Sequence, residues 1–459
     1  MHMAPLQAAL VTLLLAPVAA MAAGSSAAPS VYRFELIHVD ALAAHGAEHN
    51  SNNDDTYLDT ATYSRREYLM ELKMGTPPKP FKGVADTGSD VIWTRRVELQ
   101  CEHGASSSFA GMACSSENKQ QYECNECDKQ QQQGGRYCAF SKRYGSKKMR
   151  AEGFLAGDVL TLPRKGGLPD KEVPISFGCA RRCRDDKGDA DCHRLIPKSA
   201  DGVVGLNRGP SSLVNQLPRV TKFSYCLNDP LKPEQSSPLW FGGGADLELR
   251  SDNDAVRVQT TPLVQLAKLE PESLWKYKYY VELEGISVGE ESPVVELPNK
   301  KGPEFNHKSL GGDNKGAMLL DSGCSYTHLE AAAFDPLTEL LRNQLTAQVF
   351  QIKPPPDTDE KQHSKTCFRR PSWWFFFSWP RQRPDLVLHL RGGAKMHLRW
   401  TTYMTQQGNR SEFCLNIVNN SKSISILGNI HQQNMHMLYD LRAEKLSFLP
   451  VPDCSKREL

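Results

Sequence analysis

Two segments of the chain, one in each half, end a run of apolar residues with an aspartate. The first is Gly83–Ser89 and the second is Met318–Cys324, and in both the aspartate, Asp86 or Asp321, precedes a hydroxyl residue and a glycine. The apolar run predicts a buried strand, and the glycine permits a sharp turn in which backbone amides approach the carboxylate. The pattern therefore indicates two loops that each present one carboxyl group.

A second repeated element follows each loop. It is an apolar pair closed by glycine, Val203-Val204-Gly205 in the first half and Ile426-Leu427-Gly428 in the second. Two copies of one plan predict two lobes related by a pseudo-twofold axis. Such an axis would bring Asp86 and Asp321 together where the lobes meet.

Two carboxyl groups about 3 Å apart cannot both be ionised, so they share a proton. The ionised group can then act as a base toward a bound water, while the protonated group donates to a carbonyl oxygen. This chemistry is hydrolysis without a metal or another cofactor. The 13 His agree with it, because none forms the His-Glu-x-x-His spacing of a metal site.

The elements that must position these loops are predicted to be mostly strands. Most of the chain consists of short alternating apolar segments separated by Gly, Pro, Asp and Asn, which is typical of an all-β protein with few helices. A helix of period 3.6 is predicted over 331–347, and polar loops over 115–135 and 352–365. We expect an N-terminal lobe at 67–248, with a Cys-rich insert, and a C-terminal lobe at 249–459.

The first residues predict a targeting segment. Residues 4–23 are uncharged, with a short apolar run ended by Pro17 and an Ala-rich stretch that resembles a cleavage site. We interpret 1–23 as a secretory signal peptide, although an uncleaved anchor helix fits the same run. No other apolar run approaches the ~18 residues of a membrane span, so no stable membrane association is expected.

Composition excludes some classes of function. The chain has 459 residues, 39% of them hydrophobic, which is enough for a packed core. Its net charge of +2 gives no strong basic field, so nucleic acid is not an expected partner. The 13 Cys indicate an oxidising compartment, with disulfides and one thiol left over. Secretion would make Asn409 and Asn419 candidates for glycosylation, since each begins an Asn-x-Ser triplet.

Several motifs together resemble the pepsin family of aspartic endopeptidases, and within it the plant nepenthesin-like branch. They are ADTGSDVIWT (85–94), DGVVGL (201–206), VTKFSYCL (220–227), MLLDSG (318–323) and SILGNIHQQNMHMLYDL (425–441). The segment FELIHVDA (34–41) is similar to the prosegment of that branch, so 24–66 is expected to be a prosegment. The resemblance implies a bilobal pepsin-like fold and a secreted or vacuolar monomer that cleaves polypeptide substrates at acidic pH.

The resemblance also implies roles for single residues. Asp86 and Asp321 match the catalytic pair. The residues that support this pair would be Thr87, Gly88, Ser89, Ser322, Gly323 and Cys324. Among them, Thr87 and Ser322 would cross-link the two loops by hydrogen bonds, although both are also ordinary turn residues.

Three further residues match the flap that closes over substrate in this family. Trp93 corresponds to an aromatic beneath the flap, and Tyr144, followed by Gly145, corresponds to the flap tyrosine. Each has a plainer interpretation. Trp93 also fits a core position, and Tyr144 also fits an ordinary aromatic on a strand.

Three features depart from the family pattern. Cys324 stands where the family has Thr or Ser, and because a thiol is the weaker donor we expect a modest rise in the pKa of Asp321. The flap tip at 146–150 is basic. This charge favours acidic residues in the substrate, or it is a solvated run of charges without such a role. The aromatic cluster Ser372–Pro380 fits a buried insertion, an exposed patch for a partner, or an error in the gene model.

Disulfide pairing is only partly predicted. The resemblance implies the pairs Cys226–Cys454 and Cys367–Cys414, while Cys183 and Cys192 are close enough in sequence to close a local loop. Cys324 is expected to remain a thiol, because a disulfide there would distort its loop. The spacing Cys124-x-x-Cys127 also occurs in zinc and redox motifs, but in a secreted β protein we expect structural disulfides.

A second function stays open, namely a non-enzymatic binding protein or glycosidase inhibitor on the same fold. Relatives of that kind usually lose part of the aspartate pair, whereas this chain keeps both. For an enzyme, we expect a form that is latent at neutral pH, held by basic groups of 24–66, and that processes itself near 60–68 in acid.

Overall fold

The structure is a computed structural model of the chain. It describes residues 31–39, 67–95, 101, 105–121, 124, 126–132, 135–144, 149–162, 170–230, 237–247, 257–266, 274–289, 294–296, 316–345, 348–352, 365–369, 383–407, 412–420 and 424–454. The predicted signal peptide, most of the predicted prosegment, residues 145–148 of the flap and the aromatic cluster at 372–380 lie outside these residues.

Strands dominate both halves, which confirms the all-β fold class. In the first half they are β1 Val31–His38, β2 Tyr68–Met74, β3 Lys79–Asp86, β4 Trp93–Thr94, β5 Ala110–Gly111, β6 Cys127–Gln132, β7 Gly135–Tyr144, β8 Met149–Leu162, β9 Lys171–Asp185, β10 Gly188–Ala190, β11 Gly202–Gly205, β12 Lys222–Cys226 and β13 Ser237–Gly242.

In the second half the strands are β14 Gln259–Pro262, β15 Tyr280–Val288, β16 Val295–Glu296, β17 Ala317–Leu320, β18 Thr327–Leu329, β19 Gln348–Ile352, β20 Lys365–Arg369, β21 Leu386–Leu390, β22 Ala394–Leu398, β23 Met404–Gln407, β24 Glu412–Leu415, β25 Ile417–Asn419, β26 Ser425–Leu427, β27 Met435–Asp440 and β28 Lys445–Pro450.

Helices are short in the described part of the chain. They are α1 Ser116–Gln121, α2 Leu213–Gln216, α3 Ala331–Leu345 and α4 Trp400–Tyr403, with single 3-10 turns at Cys192–Arg194, Gly243–Ala245, Leu274–Tyr277 and Asn429–His431. The helix predicted over 331–347 is α3, and its buried face contains Phe334, Leu337 and Leu341.

One large sheet runs through both halves of the molecule. Its 16 strands follow the order β14-β28-β27-β12-β13-β1-β2-β3-β11-β4-β9-β8-β7-β6, with β5 on β8 and β10 on β9. A second sheet has the order β22-β21-β15-β17-β26-β18-β25, with β16 on β15, and a third has the order β19-β20-β24-β23. Because β12 of the first half pairs antiparallel with β27 of the second, the two halves share one hydrogen-bonded layer.

The repeated sequence motifs fold into the same unit in both halves. β3 ends at Asp86 and pairs in parallel with β11, the Val-Val-Gly motif, so that Gly205 lies opposite Asp86. β17 ends just before Asp321 and pairs in parallel with β26 in the same way. A β-carbon on Gly205 would lie 2.4 Å from the backbone of Asp90, so only glycine lets β11 pass this close to the first loop.

Aromatic packing holds the shared layer together. Phe223 on β12 stacks on Tyr439 of β27, with ring centroids 4.6 Å apart and ring planes 4° apart. Tyr279 packs against these two rings at 5.9 and 4.9 Å. All three side chains are buried, and burial of a side chain of this size contributes about 2–3 kcal/mol.

The polar segment 115–135 is not a loop, contrary to the prediction from its composition. It contains α1 and β6, and β6 forms a hairpin with β7. Two disulfides, Cys114–Cys127 and Cys124–Cys138, fix this hairpin. Covalent links rather than an apolar face therefore order the segment, which is why hydrophobic periodicity gives no sign of it.

The remaining disulfides are Cys101–Cys179, Cys183–Cys192, Cys226–Cys454 and Cys367–Cys414. The last two are the pairs that the family resemblance implies. Cys226–Cys454 closes a loop of 228 positions and ties the C-terminal residues to β12. In the chain-entropy account, a link across a loop of that length stabilises the fold by roughly 5 kcal/mol.

A strand from the predicted prosegment belongs to the shared layer. β1 lies between β13 and β2, and it pairs with β13 along Val31–Leu36 and with β2 along Leu36–His38. Every second residue of this strand is buried, namely Tyr32, Phe34, Leu36 and His38. β1 is therefore an integral strand, although it precedes the predicted processing region at 60–68.

We predict that cutting the chain at 60–68 leaves β1 in place, because its backbone bonds and its buried face do not depend on that connection. Residues 24–66 contain no cysteine, so the cut peptide would be held without a covalent bond. After acid treatment, the folded protein isolated by gel filtration should still contain a peptide that includes 31–38. This peptide should be released only when the protein is denatured. Mass spectrometry of a cut, native particle that lacks this peptide would contradict the prediction.

Candidate functional site

Donors from their own loops hold the two aspartates at the ends of β3 and β17. The carboxylate of Asp86 accepts the amide N–H of Gly88 at 2.8 Å and the hydroxyl of Ser89. The carboxyl group of Asp321 accepts the amide N–H of Gly323 at 3.0 Å. Both loops therefore turn back on their own aspartate in the way that the Asp-hydroxyl-Gly pattern predicts.

The two carboxyl groups lie side by side, close enough for Asp86 to act on the ionisation of Asp321. The glycine of each loop lies against the carboxyl group of the other loop. A β-carbon on Gly88 would lie 2.5 Å from Oδ2 of Asp321, and one on Gly323 would lie 2.6 Å from Oδ1 of Asp86. Any larger residue at either position would therefore push the two acids apart.

Reciprocal hydrogen bonds join the loops. The N–H of Thr87 donates to Oγ of Ser322 at 3.0 Å, and the N–H of Ser322 donates to Oγ1 of Thr87 at 2.9 Å. Each hydroxyl then donates to the opposite strand, Thr87 to the carbonyl of Leu320 at 3.0 Å and Ser322 to that of Ala85 at 2.7 Å. A buried bond of this kind contributes about 1 kcal/mol, and an orphaned partner costs more. The residues next to the acids thus fix the distance between them.

Burial and the neighbouring Asp86 raise the pKa of Asp321 to about 7. Lys278 and the amide of Gly323 oppose this rise, because they stabilise the ionised form. The residue Asp321 as a whole is partly exposed, but its carboxyl group is surrounded by protein atoms. Below about pH 7, the pair of acids therefore holds one proton.

Ser89 and Cys324 occupy matching places in the two loops but make different contacts. The hydroxyl of Ser89 donates to the Asp86 carboxylate, whereas the thiol of Cys324 donates to the carbonyl of Tyr326 at 3.3 Å. A hydroxyl stabilises an adjacent carboxylate better than a thiol does. This difference favours a proton on Asp321.

Trp93 and Tyr144 lie together beside the first loop. Nε1 of Trp93 donates to the hydroxyl of Tyr144 at 2.6 Å, and the ring centroids are 6.0 Å apart. Trp93 is fully buried, and Tyr144 also hydrogen-bonds to Ser89. Burial, and after it the Asp86 carboxylate, raises the pKa of Tyr144, so this hydroxyl stays protonated next to the acid pair. Gly145 lies outside the described residues.

Sequence reasoning missed an ion pair beside the first loop. Nζ of Lys142 on β7 lies 2.9 Å from Oδ2 of Asp90, and only 18% and 9% of the two side chains are exposed. Lys142 and Tyr144 are two positions apart and share a face of β7. The pair therefore anchors the strand that carries Tyr144 to the loop that carries Asp86. The sequence signal was an acidic residue directly after Ser89, but nothing in the sequence indicates its partner.

Lys278 was also missed. It lies just before β15, its ammonium group lies 4.5 Å from the ring centroid of Trp275, and it acts electrostatically on Asp321. The residue has no motif of its own, and its proximity to the acid follows only from the fold.

The structure describes one of the two glycosylation candidates. Asn409 lies outside the described residues. Asn419, at the end of β25, is half-buried, and its amide nitrogen lies 3.3 Å from Oδ1 of Asp335. A glycan on this nitrogen would have to replace that contact.

One group of possible metal ligands occurs in the described part of the chain. It consists of Cys114, Cys124 and Cys138, whose sulfur atoms are close together. All three are in disulfides, so these sulfur atoms are not thiolates. In the same described residues, no helix is both long and apolar enough to cross a membrane.

Two family models match the chain, one in each half. Residues 68–243 match the family described as xylanase inhibitor N-terminal, and 278–450 match the family described as xylanase inhibitor C-terminal. The two matched regions contain the first and the second aspartate loop, and together they span most of the chain.

Similar proteins among curated sequences are named as plant aspartic proteases. Aspartyl protease 37 of Oryza sativa subsp. japonica is 28% identical over 97% of this chain and 98% of its own length. Aspartic proteinase nepenthesin-1 of Nepenthes gracilis is 29% identical over 86% of this chain and 80% of its own length. The similarity thus includes both aspartate loops and the segment between them.

Solved structures share the fold. Basic 7S globulin from soybean superposes with a TM-score of 0.63 at 17% identity, over 93% of this chain and 98% of that chain. The aspartic proteinase from Irpex lacteus superposes with a TM-score of 0.54 at 14% identity, over 94% of this chain and 99% of that chain. These matches confirm the bilobal, pepsin-like architecture predicted from the sequence.

We predict that Asp321→Asn prevents much of the loss of stability that the wild type shows between acid and neutral pH. Folding raises the pKa of Asp321 from 3.8 to about 7, so its contribution is complete below about pH 4 and is lost as the pH rises through about 7. Asn stays neutral, and the variant should gain roughly 1–3 kcal/mol on the wild type across that window. Thermal unfolding at each pH measures the gain. The matched control Asp189→Asn, at an exposed site, should follow the wild type; parallel curves for both variants would refute the prediction.

We predict that Cys324→Thr lowers the pKa of Asp321, because a hydroxyl at this place would stabilise the carboxylate as Ser89 does for Asp86. This pKa is obtained by measuring the unfolding free energy of the variant at a series of pH values, once with Asp321 present and once with Asp321→Asn added. The pH dependence of the difference reports the pKa of Asp321. We expect a downward shift of roughly 0.5–1 pH unit. Cys324→Ala supplies no donor and should produce no such fall. Equal pKa values in the Thr and Ala variants would exclude a role for the thiol position.

Proposed function

Because the chain belongs to the pepsin family of plant aspartic proteases, we propose that it is an endopeptidase that hydrolyses peptide bonds at acidic pH. The observation that carries this proposal is the pair of carboxyl groups of Asp86 and Asp321, which lie side by side in loops cross-linked through Thr87 and Ser322. Family membership does not separate an active protease from an inactive relative, whereas this arrangement is what the reaction itself requires.

In the proposed reaction, Asp86 is the base and Asp321 the acid. Asp86 accepts two hydrogen bonds from its own loop and is suited to carry the charge that withdraws a proton from water. As the water oxygen bonds to the peptide carbonyl carbon, Asp321 gives its proton to the carbonyl oxygen. As the resulting diol collapses and its C–N bond breaks, the proton that Asp86 took passes to the leaving nitrogen, and one diol hydroxyl returns a proton to Asp321 as it becomes the new carbonyl group. No covalent bond to the protein forms.

The raised pKa of Asp321 sets the upper pH limit of this cycle. Above about pH 7 the pair loses its proton, and the acid needed to polarise the carbonyl group is gone. The hydroxyl of Tyr144, held by Trp93 beside the acids, is available to contact a polypeptide in an extended conformation. The substrates we propose are therefore polypeptides at acidic pH.

We further propose that the protein follows the secretory pathway as a monomeric zymogen, to the cell exterior or the vacuole. Support comes from the signal-like sequence of 1–23, the prosegment-like sequence of 24–66 and the six disulfides, which suit an oxidising compartment. In the zymogen, basic residues of 24–66 that lie outside β1 would be near ionised acids at neutral pH and be released as these acids protonate.

A second candidate is a binding protein that inhibits a glycosidase. It is favoured by the two matching family descriptions, which name xylanase inhibitors, and by Cys324 in place of a hydroxyl residue. The intact pair of acids favours the enzyme, because a protein that only binds has no need of a shared proton.

Digestion of acid-denatured globin distinguishes the two candidates. The acid-treated protein should cleave globin with a rate that falls toward about pH 7, and pepstatin should abolish cleavage. Asp86→Ala removes the base and should reduce the rate by at least about a thousandfold, while the matched variant Asp189→Ala should not. The absence of cleavage in acid-processed wild type, together with tight binding to a xylanase, would establish the binding function instead.

A further inference from the structure

A row of buried polar side chains lies below the cross-link between the two aspartate loops. The hydroxyl of Tyr439 on β27 lies close to that of Thr87, and it hydrogen-bonds to the hydroxyl of Tyr225 on β12 at 2.9 Å. Tyr225 in turn donates to Oε1 of Gln432. Nε2 of Gln432 donates to the carbonyl of Leu427 at 2.9 Å. We refer to Tyr439, Tyr225 and Gln432 as the tyrosine chain.

Both ends of the tyrosine chain reach groups that hold the acids. At one end, Thr87 follows Asp86 directly and accepts the N–H of Ser322 at 2.9 Å. At the other end, the carbonyl of Leu427 also accepts the N–H of Asp321 at 3.1 Å. The tyrosine chain therefore connects the two loops a second time, on the side that faces the interior.

The surroundings of the tyrosine chain are dry and close to Asp321. At most 1% of Tyr225 is exposed, and Tyr439 and Gln432 are fully buried. Burial raises the pKa of both tyrosines, and the charge of Asp321 raises it further, so both hydroxyls remain protonated. The titratable and charged groups that interact with Asp321 are Asp86, Lys278, Tyr225, Tyr280 and Tyr439.

The three residues belong to the motifs VTKFSYCL and SILGNIHQQNMHMLYDL, which do not include the aspartate loops. Packing alone would need only buried aromatic rings, because Phe fills the same space and leaves no hydroxyl to satisfy. These hydroxyls differ from that of a buried tyrosine such as Tyr403, because their hydrogen bonds lead through Gln432 to the carbonyl that also holds the N–H of Asp321.

We propose that the tyrosine chain positions the acid pair, by holding the hydroxyl of Thr87 and by closing the interior side of both loops to water. These are positioning residues, since none of them would touch substrate. The catalytic consequence rests on the proposed protease function, whereas the effect on the proton held by Asp321 does not.

The test replaces the hydroxyl at the end of the chain that lies next to Thr87. In Tyr439→Phe, Thr87 loses a neighbouring hydroxyl and Tyr225 loses a hydrogen-bond partner, so the two loops are held less firmly together and the pKa of Asp321 should fall by roughly 0.5 pH unit or more. That pKa is measured from the unfolding free energy at a series of pH values, in proteins with and without Asp321→Asn. Turnover per active site, counted by pepstatin titration, should fall about five- to twentyfold with KM nearly unchanged. Tyr225→Phe keeps the contact with Thr87 and should give smaller effects of the same sign.

The matched control is Tyr403→Phe, which removes the hydroxyl of a buried tyrosine whose partner is the carbonyl of Pro384. It should lower stability while turnover per site and the pKa of Asp321 keep their wild-type values. The proposal is overturned if Tyr439→Phe and Tyr225→Phe behave in the same way as this control. If the wild type cleaves no polypeptide, the protease proposal fails, and the pKa comparison still decides the role of the tyrosine chain.

Discussion

The close approach of two carboxyl groups imposes the constraint on which the rest of this structure depends. Two full negative charges about 3 Å apart in a protein of moderate dielectric repel each other by roughly 5 kcal/mol. One proton between them converts that repulsion into a hydrogen bond. The protein must nevertheless hold the groups together when the proton is absent, and the loops of Asp86 and Asp321 are built to withstand that repulsion.

Several levels of the fold contribute to that resistance. Gly88 and Gly323 give the acids room to approach, and the hydroxyls of Thr87 and Ser322 lock the loops to each other. The first loop follows β3, which belongs to the sheet that the two halves share, and the second loop follows β17, which pairs with β26 in the second sheet. The acids can therefore separate only if bonds between the two halves of the molecule break.

The two halves are similar in plan but not in detail, and the differences divide the work between the acids. Ser89 supplies the Asp86 carboxylate with a hydroxyl, while Cys324 directs its thiol to a backbone carbonyl. A symmetric pair would share its proton equally. Here burial and the neighbouring Asp86 raise the pKa of Asp321, which in the proposed reaction makes it the acid.

The sequence was sufficient to predict the parts of the site that recur. Asp86 and Asp321 are recognisable because each sits in one copy of a repeat, and the repeat also indicates the two-lobed, all-β fold. Lys142 and Asp90 were missed because their contact depends on the register of β7 against the first loop, which leaves no periodic signal. The hairpin of β6 was missed because disulfides, rather than apolar residues, order it. Only the resemblance predicted the pair Cys226–Cys454, because these residues are 228 positions apart in the sequence and no local pattern connects them.

Neutron diffraction from a deuterated crystal at about pH 5 would test the central claim most directly, because it locates the hydrogen itself. We expect facing oxygens of Asp86 and Asp321 within hydrogen-bond reach and a single deuteron between them, bonded to Asp321. Two carboxyl groups without a deuteron, one deuteron on each, or oxygens too far apart to share one would contradict the account.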